Sequence, residues 1–149
     1  MKNLSVNLSL IAVALWVGGL WAIGAIAAPT LFATLSDKQL AGMLAGKMFT
    51  IMAYVGMVSG LYLLIYRLAS DGTRAFKQWF FWIVFIMLAL VLIGHFGIQP
   101  IIQGLKVQGG TARVLEGVAA DRFAHWHGIA SVLYVLQSLF GLALVVKQR

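Results

Sequence analysis

Nearly uncharged, apolar stretches recur four times along the chain, over 8–28, 47–68, 79–102 and 127–146. Each matches the roughly 20 mostly apolar residues that a membrane-crossing helix needs. The first carries no charge and runs into Pro29. The second has its apolar heart over 49–68, with extra helical turns expected ahead of it from Leu40. The third contains His95 and Pro100, and the fourth opens at His127. The pattern predicts an all-α integral membrane four-helix bundle, left-handed and up-down-up-down, forming one domain over 1–149. Between the third and fourth stretches, Val114, Leu115, Val118, Ala119 and Phe123 recur at helical spacing with Arg113, Glu116, Asp121 and Arg122 between them. That is the pattern of a short amphipathic helix lying on the membrane surface.

Lipid gives helices no hydrophobic reason to associate, so small residues and buried polar contacts must hold them together. Stripes spaced alternately four and three apart identify candidate inward faces. Span 1 offers Gly18, Ala22, Ala25 and Pro29. Span 2 offers Gly42, Gly46, Ala53, Gly56 and Gly60, and span 3 offers Leu88, Leu92, His95 and Gln99. Span 4 offers His127, Ser131, Tyr134, Ser138 and Gly141. Gly42–Gly46 and Gly56–Gly60 are GxxxG pairs; intrachain packing is the expected use, with homo-oligomer formation through the same faces as the alternative.

Composition agrees with a life in lipid. Apolar residues make up 62% and charged residues 10%, against about 45–50% and about 25% in soluble domains. The net charge of +7 does not point to nucleic acid, because the cations sit at the ends of apolar runs and form no stripe interleaved with aromatics. Lys2, the apolar run and Ala25-Ile26-Ala27 imitate a secretion signal, but the run is too long and its basic flank too thin. No cysteine is present, which removes disulfides, thiolate metal sites and cysteine nucleophiles.

Direction follows from Lys and Arg placement. One side holds Lys2, Arg67, Arg74, Lys77, Lys147 and Arg149; the other holds Lys38, Lys47, Lys106, Arg113 and Arg122. The cations of loop 2 are the more densely packed. Both termini are therefore expected in the cytoplasm, with the chain in a bacterial inner (plasma) membrane. Trp79, Trp82, Tyr66 and Trp126 sit near span ends as interfacial anchors; Trp16 and Trp21 lie inside span 1, where such a belt explains them poorly.

Ionisable residues inside a span are costly and so are functional candidates. No Asp or Glu lies in a span core, and no paired-carboxylate, Ser-His-Asp, Walker or HExxH pattern exists. The chain is expected not to be an enzyme. Histidine remains. His95 lies sixteen residues past Trp79, roughly 24 Å along the helix, near the outer boundary where His127 begins span 4. His95, Gln99, His127 and Tyr134 are the expected helix-linking polar groups of an outer-facing pocket. Pro100 cannot donate a backbone bond and disturbs the carbonyl of Phe96. The alternative is haem or copper ligation by His95 and His127, with His125 nearby. Met43, Met48, Met52 and Met57 suit copper, although methionine in apolar helices is commonly filler.

The stretches 15–32, 41–49, 95–102 and 123–142 resemble a family of bacterial four-helix membrane proteins of unknown function similar to transmembrane protein 205. Its marks fall here on Gly18, Gly19, Ala28, Pro29, Phe32, Gly46, Phe49, His95, Gln99, Pro100, His127 and Gly128. The resemblance implies a four-helix bundle and no established activity. The family is in turn similar, in fold, to copper-resistance membrane proteins and to haem-linked protoporphyrinogen oxidase of four-helix type. That likeness keeps a metal or haem in view without assigning one. Beyond Lys47 and Arg122, the chain lacks the basic shell that haem propionates would need.

Overall fold

The computed structural model describes residues 2–108 and 118–147, with side chains for 4–105 and 121–147. Among them there is no strand. Helix α1 (Lys2–Trp21) passes through a π turn (Ala22–Ala27) into α2 (Ala28–Thr34). Helix α3 (Lys38–Asp71) ends in a 3₁₀ turn (Gly72–Lys77). Helix α4 (Trp79–Leu92) passes through a second π turn (Ile93–Ile98) into α5 (Gln99–Gln108), and α6 is Val118–Val146. These make four rods long and apolar enough to cross a membrane: Leu4–Thr34, Lys38–Lys77, Trp79–Leu105 and Asp121–Val146. Their outward faces carry large apolar side chains such as Leu15, Ile51, Val58, Leu61, Val132 and Leu139, as lipid contact requires. The protein is an all-α, multi-pass membrane bundle.

The rods run beyond the stretches read from the sequence. Pro29 does not stop the first: the chain reaches it through the π turn Ala22–Ala27 and continues into α2 with helical backbone at Ala27 and Ala28. Each π turn ends just before a proline, Pro29 or Pro100. Local π geometry is one way a membrane helix accommodates proline. Of the expected amphipathic helix, residues from Val118 onward are continuous with span 4, and the part over 109–117 lies outside the described residues.

Short turns set the antiparallel order. Asp37 caps α3 by accepting from the amides of Gln39 and Leu40 at 2.8 and 3.0 Å. Lys38 donates back to the carbonyls of Phe32 and Leu35, at the negative end of α2. Gly72, with φ of 56°, closes α3 in a conformation that L side chains resist. The Trp82 indole donates to the Phe76 carbonyl at 2.9 Å, holding loop 2 against α4. Lys147 sits 3.9 Å over the Trp79 ring, which puts the end of span 4 beside the start of span 3. The spans close a ring in which 1 packs on 2, 2 on 3, 3 on 4 and 4 back on 1.

The inward faces are partly other than the stripes predict. In span 1, Gly18, Ala22, Ala25 and Pro29 are exposed, while Val13, Trp16, Val17 and Leu20 are buried. In span 3 the buried line is Val84, Met87, Val91, Ile98 and Ile102, one position before the expected one. In span 4, Tyr134, Ser138 and Gly141 do turn inward, but His127 and Ser131 are exposed. A straight helix drifts by about 20° per heptad from a 3.5-residue stripe, so a stripe right at one end of span 4 has rotated out at the other. Span 2 holds to expectation at Gly56 and Gly60, which are buried.

The packing rule is large into small. Trp16, fully buried, lies in the Gly56–Gly60 notch: a Cβ on Gly56 would stand 2.6 Å from its Nε1, and one on Gly60 3.0 Å from the ring edge. Met52 of span 2 fills the space over Gly19 of span 1. Val17 and Met87 fill the space over Gly141 of span 4, at 3.1 and 3.5 Å. Small residues thus serve as sockets for a neighbour's large side chain, and the GxxxG pair at Gly56–Gly60 is used within the chain.

Candidate functional site

His95 sits in the second π turn, half-buried. Its ring meets Tyr54 of span 2 edge-on, centroids 5.1 Å apart, and Phe96 at 4.8 Å. Gln99 follows one turn later, also half-buried. His95, Gln99 and Tyr54 hydrogen-bond to no described residue. Tyr54 is 55% exposed on the outer face of span 2, so its contact with His95 lies on the outer side of the seam between spans 2 and 3.

His127 is placed differently. It is exposed on α6 and stacks on Phe123 one turn earlier, rings 5.7 Å apart and 7° from parallel. Its carbonyl accepts the Ser131 hydroxyl at 2.9 Å. His125 is exposed beside Trp126. The turn bearing His95 does pack on α6, but the two imidazoles engage different neighbours. Two cavities stand out in the bundle, and neither is lined by His95, Gln99, His127 or Tyr134.

Tyr134 lies on the fourth span and reaches the first. Its hydroxyl donates to the carbonyl of Leu20, and the Gly24 backbone hydrogen-bonds the same hydroxyl. Leu20 carbonyl and Gly24 amide are the pair that a regular α-helix would join directly. The phenol oxygen meets both where the π turn Ala22–Ala27 begins. A side chain entering the backbone ladder is a known cause of such a disturbance. Glycine at 24 makes room: a Cβ would stand 2.9 Å from the hydroxyl oxygen. Phe49 meets the ring edge-on at 5.1 Å.

Among the described residues no three His, Asp or Glu side chains gather as ligands. Met52 is committed to packing over Gly19. Lys47 and Arg122 are both exposed.

Sequence reasoning missed Trp16 as the centre of the core, Tyr54 as the neighbour of His95, and Gln137 as a buried polar residue. Trp16 left one signal: a tryptophan in mid-span, away from either interface.

The chain matches the family described as "Domain of unknown function (DUF4149)" over residues 11–111. That range takes in the first span from Ile11 onward, the second and third spans and both π turns, and ends before His125 and His127. No curated protein and no solved structure matches the chain.

Proposed function

The chain belongs to the DUF4149 family, and on that premise we propose that it is a non-enzymatic membrane module, structural or interacting, whose working site is the polar patch at its histidine end. The carrying observation is that Tyr54, His95 and Gln99 have no hydrogen-bond partner among the described residues, with Tyr54 exposed on the outer face of span 2. Polar groups at membrane depth need partners, because hydrocarbon offers none. A polar group of a ligand or of another membrane segment would satisfy them. His127 is exposed separately on α6 at the same end of the bundle. The resemblance to proteins similar to transmembrane protein 205 fits a module without catalytic machinery.

The rest of the reading follows from charge and packing. The termini lie in the cytoplasm of a bacterial cell, in the inner membrane, so the patch faces outward. Homo-oligomers would form through Gly18 and Gly46, whose surroundings are open.

A photo-cross-linking residue in place of Tyr54 tests the site in native membranes. A discrete adduct that is lost in a His95→Ala background is the expected result; only diffuse lipid adducts would sink the proposal. An absorbance spectrum and metal analysis of detergent-purified protein test the rival reading. A haem band or stoichiometric copper that depends on His95 and His127 would replace this module with a redox or copper-handling protein.

A further inference from the structure

The opposite end of the bundle holds a cleft of about 210 Å³. Cavities for drug-sized ligands span about 300–1,000 Å³, so this one suits a head group. Its apolar walls are Val6 and Leu10 of α1, Leu63 of α3 and Phe80 of α4; its polar lining is Ser9, Tyr66 and Arg67. Val6 and Leu10 are largely exposed, so the cleft opens sideways toward lipid. It is independent of the histidine patch.

Arg67 is incompletely satisfied there. Its guanidinium carbon stands 4.4 Å over the Phe80 ring. Its only described acidic partner is Asp71, at 3.6 Å, and the same Asp71 Oδ2 takes the Gln78 side-chain amide at 2.7 Å. Nε is buried with no acceptor, although a guanidinium carries five N–H donors. The Tyr66 ring stacks on Tyr62, and its hydroxyl bonds to no described residue. The Ser9 hydroxyl is turned to the Ser5 carbonyl at 2.9 Å, which leaves its oxygen free only to accept. A fork of cationic donors and a phenol donor therefore face one space between apolar walls.

Depth and charge say what fits. Arg67 precedes the end of α3 at Asp71 by one turn, about 6 Å, the level at which head groups meet acyl chains. Arg74, Lys77 and Lys147 share this end of the bundle, where Asp71 is the one carboxylate among the described side chains. Anionic lipid surfaces attract such clusters. We propose that the cleft binds the phosphate of an anionic amphiphile, with Arg67 and Tyr66 donating to its oxygens and Val6, Leu10 and Phe80 lining its first methylenes.

Native mass spectrometry of the detergent-purified full chain, titrated with phosphatidylglycerol, phosphatidylcholine or inorganic phosphate, tests this. Wild type should retain phosphatidylglycerol on the order of tenfold more strongly than phosphatidylcholine, as charge-assisted bonds would give. Arg67→Gln should erase the preference, Tyr66→Phe should reduce it a few-fold, and the loop variant Arg74→Gln should keep it. Resistance of the bound lipid to millimolar inorganic phosphate would support the amphiphile; its displacement would assign the cleft to a free phosphate and overturn the part played by the apolar walls. A preference unchanged in both Arg67→Gln and Tyr66→Phe overturns the proposal. Should Arg67→Gln fail to fold, Tyr66→Phe, which keeps its ring stacked on Tyr62, decides alone.

Discussion

The hydroxyl of Tyr134 on the fourth span donates to the carbonyl of Leu20 on the first, in the last turn of α1 before the π turn Ala22–Ala27. One phenol oxygen thereby joins two helices and coincides with the start of a π turn in one of them. Removing it should act on both. Tyr134→Phe leaves the ring against Phe49 and Gly24 but strips the oxygen, and it should cost about 1–2 kcal/mol. Thermal unfolding in detergent measures this; a wild-type melting point would show that the tie contributes nothing.

Two glycines on one helix should respond oppositely to the same methyl group. At Gly56 a Cβ would press on the Trp16 indole, and Gly56→Ala should destabilise by roughly 1–3 kcal/mol. At Gly46 nothing lies within 4 Å, so Gly46→Ala should be neutral in the isolated chain or stabilising by up to about 1 kcal/mol. Equal melting points for the two variants would contradict the socket packing.

The Trp16 indole nitrogen is buried without an acceptor. Its value must then lie in its volume. Trp16→Phe removes an unsatisfied donor together with part of the buried volume and should cost only about 1–2 kcal/mol, whereas Trp16→Ala empties the middle of the core and should cost about 3–5 kcal/mol. A Phe variant as damaged as the Ala variant would show that the N–H has a partner after all.

The two histidines at the same end should separate by stability. His95→Ala removes a ring packed against Tyr54 and Phe96 and should lower the melting point measurably. His127→Ala strips an exposed ring from the surface of α6 and should stay within about 0.5 kcal/mol of wild type. The reverse order would place His127, not His95, inside the bundle.

The spans were legible because length and apolarity alone announce a membrane crossing. Their faces were harder to read. Span 3 is apolar almost all round, so nothing along Trp79–Leu92 distinguishes the side bearing Met87 and Val91 from the side bearing Leu88 and Leu92. Searching for small residues succeeded at Gly56 and Gly60, where the socket faces inward. It failed at Gly18 and Ala22, because span 1 supplies the knobs Trp16, Val17 and Leu20. Tyr134 was legible as a polar residue on an inward line; its partners, two backbone groups of a glycine-bearing turn, were not. The disturbance expected ahead of Pro100 is present as the π turn Ile93–Ile98, whereas the similar turn ahead of Pro29 had no such reading. His127 failed as an inward residue through accumulated helical drift, a small angle per turn that grows over two heptads.

A π turn holds one residue more than the α-helical path it replaces, and one residue is about 100° of rotation. Spans 1 and 3, diagonal to each other in the ring, each contain such a turn. Each is therefore two half-helices with separate phases: Trp16 and Val17 obey one clock, Pro29 and Phe32 another. Deleting a single residue within Ala22–Ala27 would return the turn to the α-helical path and leave α2 at its present azimuth, whereas the same deletion elsewhere in the span would rotate one part against the other by about 100°.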